Sequence, residues 1–139
     1  MPREVFIDAG AWIAIIDQDD QYYSAATEIY KQLLINGSVL VTTNLVIAEA
    51  YVIIRKRAGH TTAMRFLQSL RQTGRLLRVY ADAALEEAAE RILTRYADQD
   101  FSLADAVSFA LMRQRGIVEA FAFDHHFLVA GFVLVPGST

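Results

Sequence analysis

Residues 4–17 read Glu-Val-Phe-Ile-Asp-Ala-Gly-Ala-Trp-Ile-Ala-Ile-Ile-Asp, and two periodicities meet inside them. Glu4–Asp8 alternates weakly and is rich in β-forming residues, the pattern of a short strand. From Ala9 to Asp17 the spacing changes, and Trp12, Ile13 and Ile16 share one face of a helix. Asp8 stands at the join and is the only charge between Glu4 and Asp17.

Outward from this stretch the alternation of strand and helix continues. Tyr22–Ile35 is amphipathic and closes at Asn36-Gly37. Ser38–Thr42 reads as a buried strand. Asn44 is placed to cap a helix that runs to about Arg57 and ends at Gly59. Thr61–Gln72 is helical, Leu76–Tyr80 a strand, and Asp82–Tyr96 an acidic amphipathic helix. Ser102 caps a helix that stops at Gly116. Ala120–Phe123 is a buried strand, His125–Ala130 about one helical turn, and Phe132–Val135 a last short strand. Strands alternating with helices predict an α/β fold: a central, mainly parallel sheet of four to five short strands with helices on both faces. In such sheets sites collect at the carboxyl ends of the strands. Asp8 ends the first strand and Asp124 the fourth.

A chain of 139 residues fits one domain, 1–139, with one core. At 54% hydrophobic and 21% charged it is too apolar for disorder, and apolar enough to suggest a covered interface. The net charge of -3 excludes a bulk basic signal for nucleic acid. Its distribution is uneven: Ala50–Ala81 carries seven basic residues and no acid, whereas from Asp82 onward nine acids face four bases. There is no cysteine, which removes disulfides, thiolate chemistry and cysteine zinc sites. The N-terminal apolar stretch is broken by Asp8 and does not read as a signal peptide. No uninterrupted apolar run approaches membrane-spanning length. A soluble, cytoplasmic protein with no membrane association is expected.

Four acids stand in apolar surroundings. Glu49 is the only charge in Leu45–Ile54, and Asp105 the only one from Phe101 to Met112. Asp8 is isolated as described, and Asp124 follows Ala-Phe-Ala-Phe. A buried carboxylate needs a partner, and these elements supply no lysine or arginine. If the four meet, repulsion raises their pKa values, and hard divalent cations such as Mg²⁺ or Mn²⁺ relieve it. Each acid also has a structural reading. Asp8 and Asp124 can cap helices, and Ser102-x-x-Asp105 fits a capping box. Glu49, in mid-helix, can cap nothing, and its structural alternative is a distant arginine.

Taken together, these motifs resemble the PIN domain, and in particular the toxin nucleases of VapBC-type toxin–antitoxin pairs. The resemblance covers nearly the whole chain. It rests on Val-Phe-Ile-Asp-Ala-Gly-Ala-Trp-Ile-Ala at the start and on Thr43-Asn44-Leu45-Val46-Ile47-Ala48-Glu49. Phe101-Ser102-Leu103-Ala104-Asp105-Ala106, with Asp98 and Asp100 before it, and Phe123-Asp124-His125-His126-Phe127 complete it. Two positions depart from the family pattern. Ala9 stands where a serine or threonine usually follows the first aspartate, and Ala122 where a hydroxyl is common two residues before the last. Both changes remove possible hydrogen bonds to metal ligands.

The resemblance implies a Mg²⁺- or Mn²⁺-dependent endoribonuclease that hydrolyses RNA phosphodiester bonds. Asp8, Glu49 and Asp105 would be the main ligands, Asp124 would complete the set, and Asp100 would help. Ser102 would orient Asp105, and Asn44 would cap its helix or touch substrate. It also implies a homodimer and a small antitoxin that covers the site. A degenerate PIN-fold module that binds RNA or protein without cutting is the alternative. A phosphatase of the haloacid-dehalogenase type would have a second aspartate where Gly10 stands. Arg55, Lys56 and Arg57 could contact phosphates or simply offset the helix dipole. His125 and His126 read as solvated or capping residues. Trp12 and Tyr51 read as core, and Tyr22 and Tyr23 as loop packing with base stacking as the other option.

Overall fold

The computed structural model describes residues 2–135. Strand β1 (Glu4–Ile7) lies at the centre, parallel to β2 (Val39–Thr43) on one side and to β4 (Glu119–Phe121) on the other. Strand β3 (Leu76–Val79) pairs with β2, and β5 (Val133–Val135) with β4. The order is β3-β2-β1-β4-β5, and every pairing is parallel. Val5, Phe6 and Ile7 are all fully buried, so β1 is covered on both faces. That explains its weak alternation, since a strand buried on both sides reads as a continuous apolar run.

Among the described residues, seven helices cover the sheet. They are α1 (Ala9–Ile16), α2 (Tyr23–Ile35), α3 (Asn44–Ala58), α4 (His60–Gln72), α5 (Ala83–Arg95), α6 (Leu103–Arg115) and α7 (His126–Val129). The chain steps one way from β1 to β3, then returns across the sheet to β4 and β5. Right-handed crossovers therefore put α1–α4 on one face and α5–α7 on the other. The aromatic packing agrees with this. Trp12 of α1 meets Tyr30 of α2 at 6.0 Å and Phe66 of α4 at 5.9 Å. On the opposite face Phe109 of α6 meets Phe101 at 5.0 Å and Phe127 of α7 at 4.9 Å. Trp12 is core, as its sequence context suggests, and its indole N–H donates to Thr42 Oγ1 at 3.3 Å.

Two local expectations are corrected. Asn44 does not cap α3, because it already lies within the helix. Thr43 is the cap, and its hydroxyl accepts from the Val46 N–H at 3.1 Å. The Asn44 side chain instead accepts from the Ala81 N–H at 2.9 Å, satisfying a main-chain donor just beyond β3. Strand β4 stops at Phe121 rather than Phe123. Phe123 turns aside to stack on Tyr22 at 4.3 Å, and the Asp124 carboxylate accepts from the His126 N–H at 2.9 Å. An aspartate bonded to the main chain two residues on is turn chemistry and ends the strand early.

Strand order reverses between β1 and β4. In open parallel sheets, the crevice beyond the carboxyl ends at such a point is where ligands bind.

Candidate active site

That crevice is a pocket of about 340 Å³ lined by Asp8, Glu49, Asp100, Ser102, Asp105, Asp124 and His126. Ala9, Gly10, Ile13 and Ile53 complete its wall, and among the described residues no lysine or arginine lines it. Asp8, Glu49, Asp105 and Asp124 each arrive from a different part of the chain. Asp8 follows β1 directly, and its N–H donates to the Phe121 carbonyl at 3.0 Å. Glu49 projects from the second turn of α3. Asp105 sits in the first turn of α6, held by a complete capping box. Its N–H donates to Ser102 Oγ at 3.0 Å, and its carboxylate accepts from the Ser102 N–H at 3.1 Å. Asp124 stands in the turn between β4 and α7.

Asp8 occupies the N-cap position of α1 but makes no side-chain cap bond. It is buried, and its carboxyl is pushed up to about 7. Loss of water is the main cause, and the neighbouring Ala9 N–H acts in the opposite direction. Asp105, Glu49 and Asp124 then add repulsion. Glu49 is raised above the ordinary carboxyl range too, first by lost hydration and then by Asp105 and Asp124. The expectation of a buried Glu49 is corrected here. Glu49 is among the exposed residues and faces the pocket from the open side of α3 rather than lying in the core.

Of the remaining candidates, Asp100 and Ser102 line the pocket, whereas Asn44, Arg55, Lys56 and Arg57 do not. Arg57 lies about 12 Å along the helix axis from Glu49, at 1.5 Å per residue. Its guanidinium bonds Asp20 at 3.1 Å and faces Asp17 at 3.9 Å. Arg55 meets the His60 ring. A larger hollow of about 550 Å³ lies around Asp17, Asp19, Arg57 and Arg65, but it mixes both signs of charge and lacks an uncompensated cluster. The residue that sequence reasoning missed is His126. Its Nδ1 lies 3.1 Å from Asp105 Oδ2 and 3.3 Å from Asp124 Oδ2. Nothing in the string His125-His126 separates the two rings. Only the fold turns one of them inward.

The donor chemistry suits a hard divalent cation: several carboxylates, no sulfur, and mutual repulsion that a cation would relieve. Among the described residues, no three such side chains are yet gathered tightly enough to enclose an ion.

The PIN domain family model matches residues 5–133. The 23S rRNA-specific endonuclease VapC20 of Mycobacterium tuberculosis, from two strains, is 34% identical over 132 residues. That match covers 94% of this chain and 97% of the relative. The crystal structure of M. tuberculosis VapC20, described as a sarcin–ricin loop cleaving toxin, superposes with a TM-score of 0.84 at 31% identity. It covers 93% of this chain and 96% of that one. With its parallel sheet, its acid-lined crevice and a family match over nearly its whole length, this chain belongs to the PIN-domain family and resembles its VapC-type ribonucleases.

Proposed function

We propose that this chain is an endoribonuclease dependent on Mg²⁺ or Mn²⁺, and that Asp8, Glu49, Asp105 and Asp124 hold the cation. The observation that carries this reading is the convergence of five acids, these four and Asp100, on one pocket with no lysine or arginine among the described residues of its wall. A bound divalent cation supplies the positive charge that polarises a phosphodiester and makes water a better nucleophile. The protein's own groups divide the remaining work. Asp8 is fixed through its main chain, and Asp105 through its capping box. Glu49 is exposed and can adjust to the substrate, whereas Asp124 accepts from the His126 N–H at 2.9 Å. Asp100 and Ser102 flank the opening, and Ile13 and Ile53 exclude water from part of the wall.

The similarity to VapC20 supports RNA as substrate, ribosomal RNA in particular, and a toxin role with a small antitoxin as partner. The cytoplasm is the compartment that fits such a substrate. No described helix is long and apolar enough to cross a membrane. A homodimer belongs to the same proposal. Val118 and Val133 are more than half exposed and are joined by a main-chain hydrogen bond at 2.8 Å, so they form part of an apolar edge that a second copy could cover.

The test is incubation of the purified protein, free of antitoxin, with a ribosomal stem–loop and with mixed single-stranded RNAs. Mn²⁺, Mg²⁺ and EDTA are compared beside Glu49→Gln. Cleavage is expected with either metal and is abolished by EDTA. It should fall at least ~100-fold in the variant, since losing a direct ligand costs more than losing an outer partner. Binding of RNA without cleavage under any metal would instead favour the non-cutting module. The alanines at positions 9 and 122, both buried and the first of them in the wall of the site, are the feature in favour of that second reading.

A further inference from the structure

We propose that His126 is a positioning residue whose Nδ1–H sets the geometry of the Asp105–Asp124 pair and thereby the site's affinity for a divalent cation. The inference rests on the metal-dependent reading above.

Asp105 and Asp124 come from elements far apart in sequence and meet at one wall of the pocket. As carboxylates they only accept hydrogen bonds, so the nitrogen between them must carry the hydrogen. His126 Nδ1 is hydrogen-bonded to Asp105 Oδ2 at 3.1 Å and lies 3.3 Å from Asp124 Oδ2, and so stands between the two acids. A donor's positive pole between two like charges lets them approach more closely than they otherwise would.

The donor is itself held from two directions. The His126 N–H bonds Asp124 Oδ1 at 2.9 Å, which ties the main chain of the residue to the acid its ring also touches. The ring packs edge-on against Phe101 at 5.2 Å, and Phe101 in turn packs on Phe109 of α6. The side chain is only 17% exposed. His125 provides the internal contrast: its side chain is 75% exposed, and its Nδ1 comes no closer than 3.6 Å to Asp124.

The arrangement also leaves a free acceptor. Asp105 Oδ2 accepts from Ser102 N–H and faces His126, whereas its Oδ1 has no hydrogen-bond partner among the described residues. Fixing one oxygen of a carboxylate orients the other. Partners of this kind behind metal ligands are worth 10- to 100-fold in metal affinity.

Two substitutions separate the donor from the packing. His126→Phe keeps a ring against Phe101 and removes the N–H, and His126→Asn supplies an amide N–H close to the Nδ1 position. Mn²⁺ binding is measured by calorimetry on the full chain without RNA, with thermal melts to establish folding and His125→Phe as a control. Affinity is expected to fall about 10- to 100-fold in His126→Phe, to return toward wild type in His126→Asn, and to stay unchanged in His125→Phe. Wild-type-like or tighter binding by folded His126→Phe would overturn the inference and leave the metal-dependent reading standing. So would an Asn variant no better than the Phe variant. Failure of the wild type to bind Mn²⁺ would overturn both.

Discussion

The main-chain N–H of Asp8 donates to the carbonyl of Phe121 at 3.0 Å, so the β1–β4 ladder extends up to the first acid of the pocket. The position of Asp8 is therefore set by the sheet and not by its side chain. The carboxyl is carried into a buried place and makes no cap bond there. Its location costs the metal-free fold stability, and changing the side chain should not move the main chain.

A pH dependence follows. The Asp8 carboxyl titrates near 3.8 in a solvated chain and at about 7 in the folded protein. Between those values the folded state holds a proton that the unfolded state has released. Stability from this group is present below the lower value and is lost as pH rises toward the upper one. In EDTA, the difference in melting temperature between Asp8→Asn and wild type should be small near pH 4 and should grow in favour of the variant up to about pH 7. A constant difference across that range would show that Asp8 is not the strained group.

Divalent cations should reverse that penalty. A ligand that binds only the folded state stabilises it by about 2.7 kcal/mol at a hundred times its Kd. Mn²⁺ at pH 8 should therefore raise the melting temperature of the wild type. At the same concentration it should have much less effect on Asp8→Asn or Glu49→Gln. An equal shift in all three proteins would locate the cation away from these acids.

The order of strands and helices is legible because each element has its own local signal: alternation or apolar runs for strands, helical spacing for helices, and glycine at Gly59 and Gly116 where φ is positive. The capping box at Ser102 and Asp105 is legible for the same reason, since both partners lie within one turn. What local reading misses depends on contacts between distant segments. Asn44 looks like a cap until Ala81, 37 residues away, takes its side chain. Glu49 looks buried because its neighbours along α3 are apolar, but the face it shares with Ile53 opens on the pocket. His126 looks like His125 until the turn after β4 aims it at Asp105, 21 residues away.

Asn44 gives a test of fold without function. Removing its side chain leaves the Ala81 N–H, in a partly buried place, without its partner. Asn44→Ala should destabilise the protein by about 1–3 kcal/mol, the usual cost of an orphaned buried donor, as read from the denaturant midpoint. Because Asn44 does not line the pocket, Mn²⁺ affinity should be unchanged in the folded variant. A large loss of affinity at full folding would put Asn44 at the site after all.

Arg55, Lys56 and Arg57 stand together in the last turn of α3, yet their charges are not equally available. Arg57 is shared with Asp20 and Asp17, and Arg55 lies against His60. Lys56 has no ion pair among the described residues. An exposed pair such as Arg57–Asp20 contributes little stability, about 0–1 kcal/mol, so Arg57→Ala should barely shift the melt. Its more important effect is to neutralise Arg57 toward an approaching polyanion. A phosphate contact releases counterions, and each one lost lowers the salt dependence of RNA binding by about one unit of slope. With Glu49→Gln as the background to prevent cleavage, Lys56→Ala should lower that slope and Arg57→Ala should change it less. Asp20→Asn should go the other way, freeing Arg57 and tightening RNA binding at low salt. If all three variants bind RNA with the wild-type slope, the basic turn is the favourable end of a helix dipole and takes no part in holding substrate.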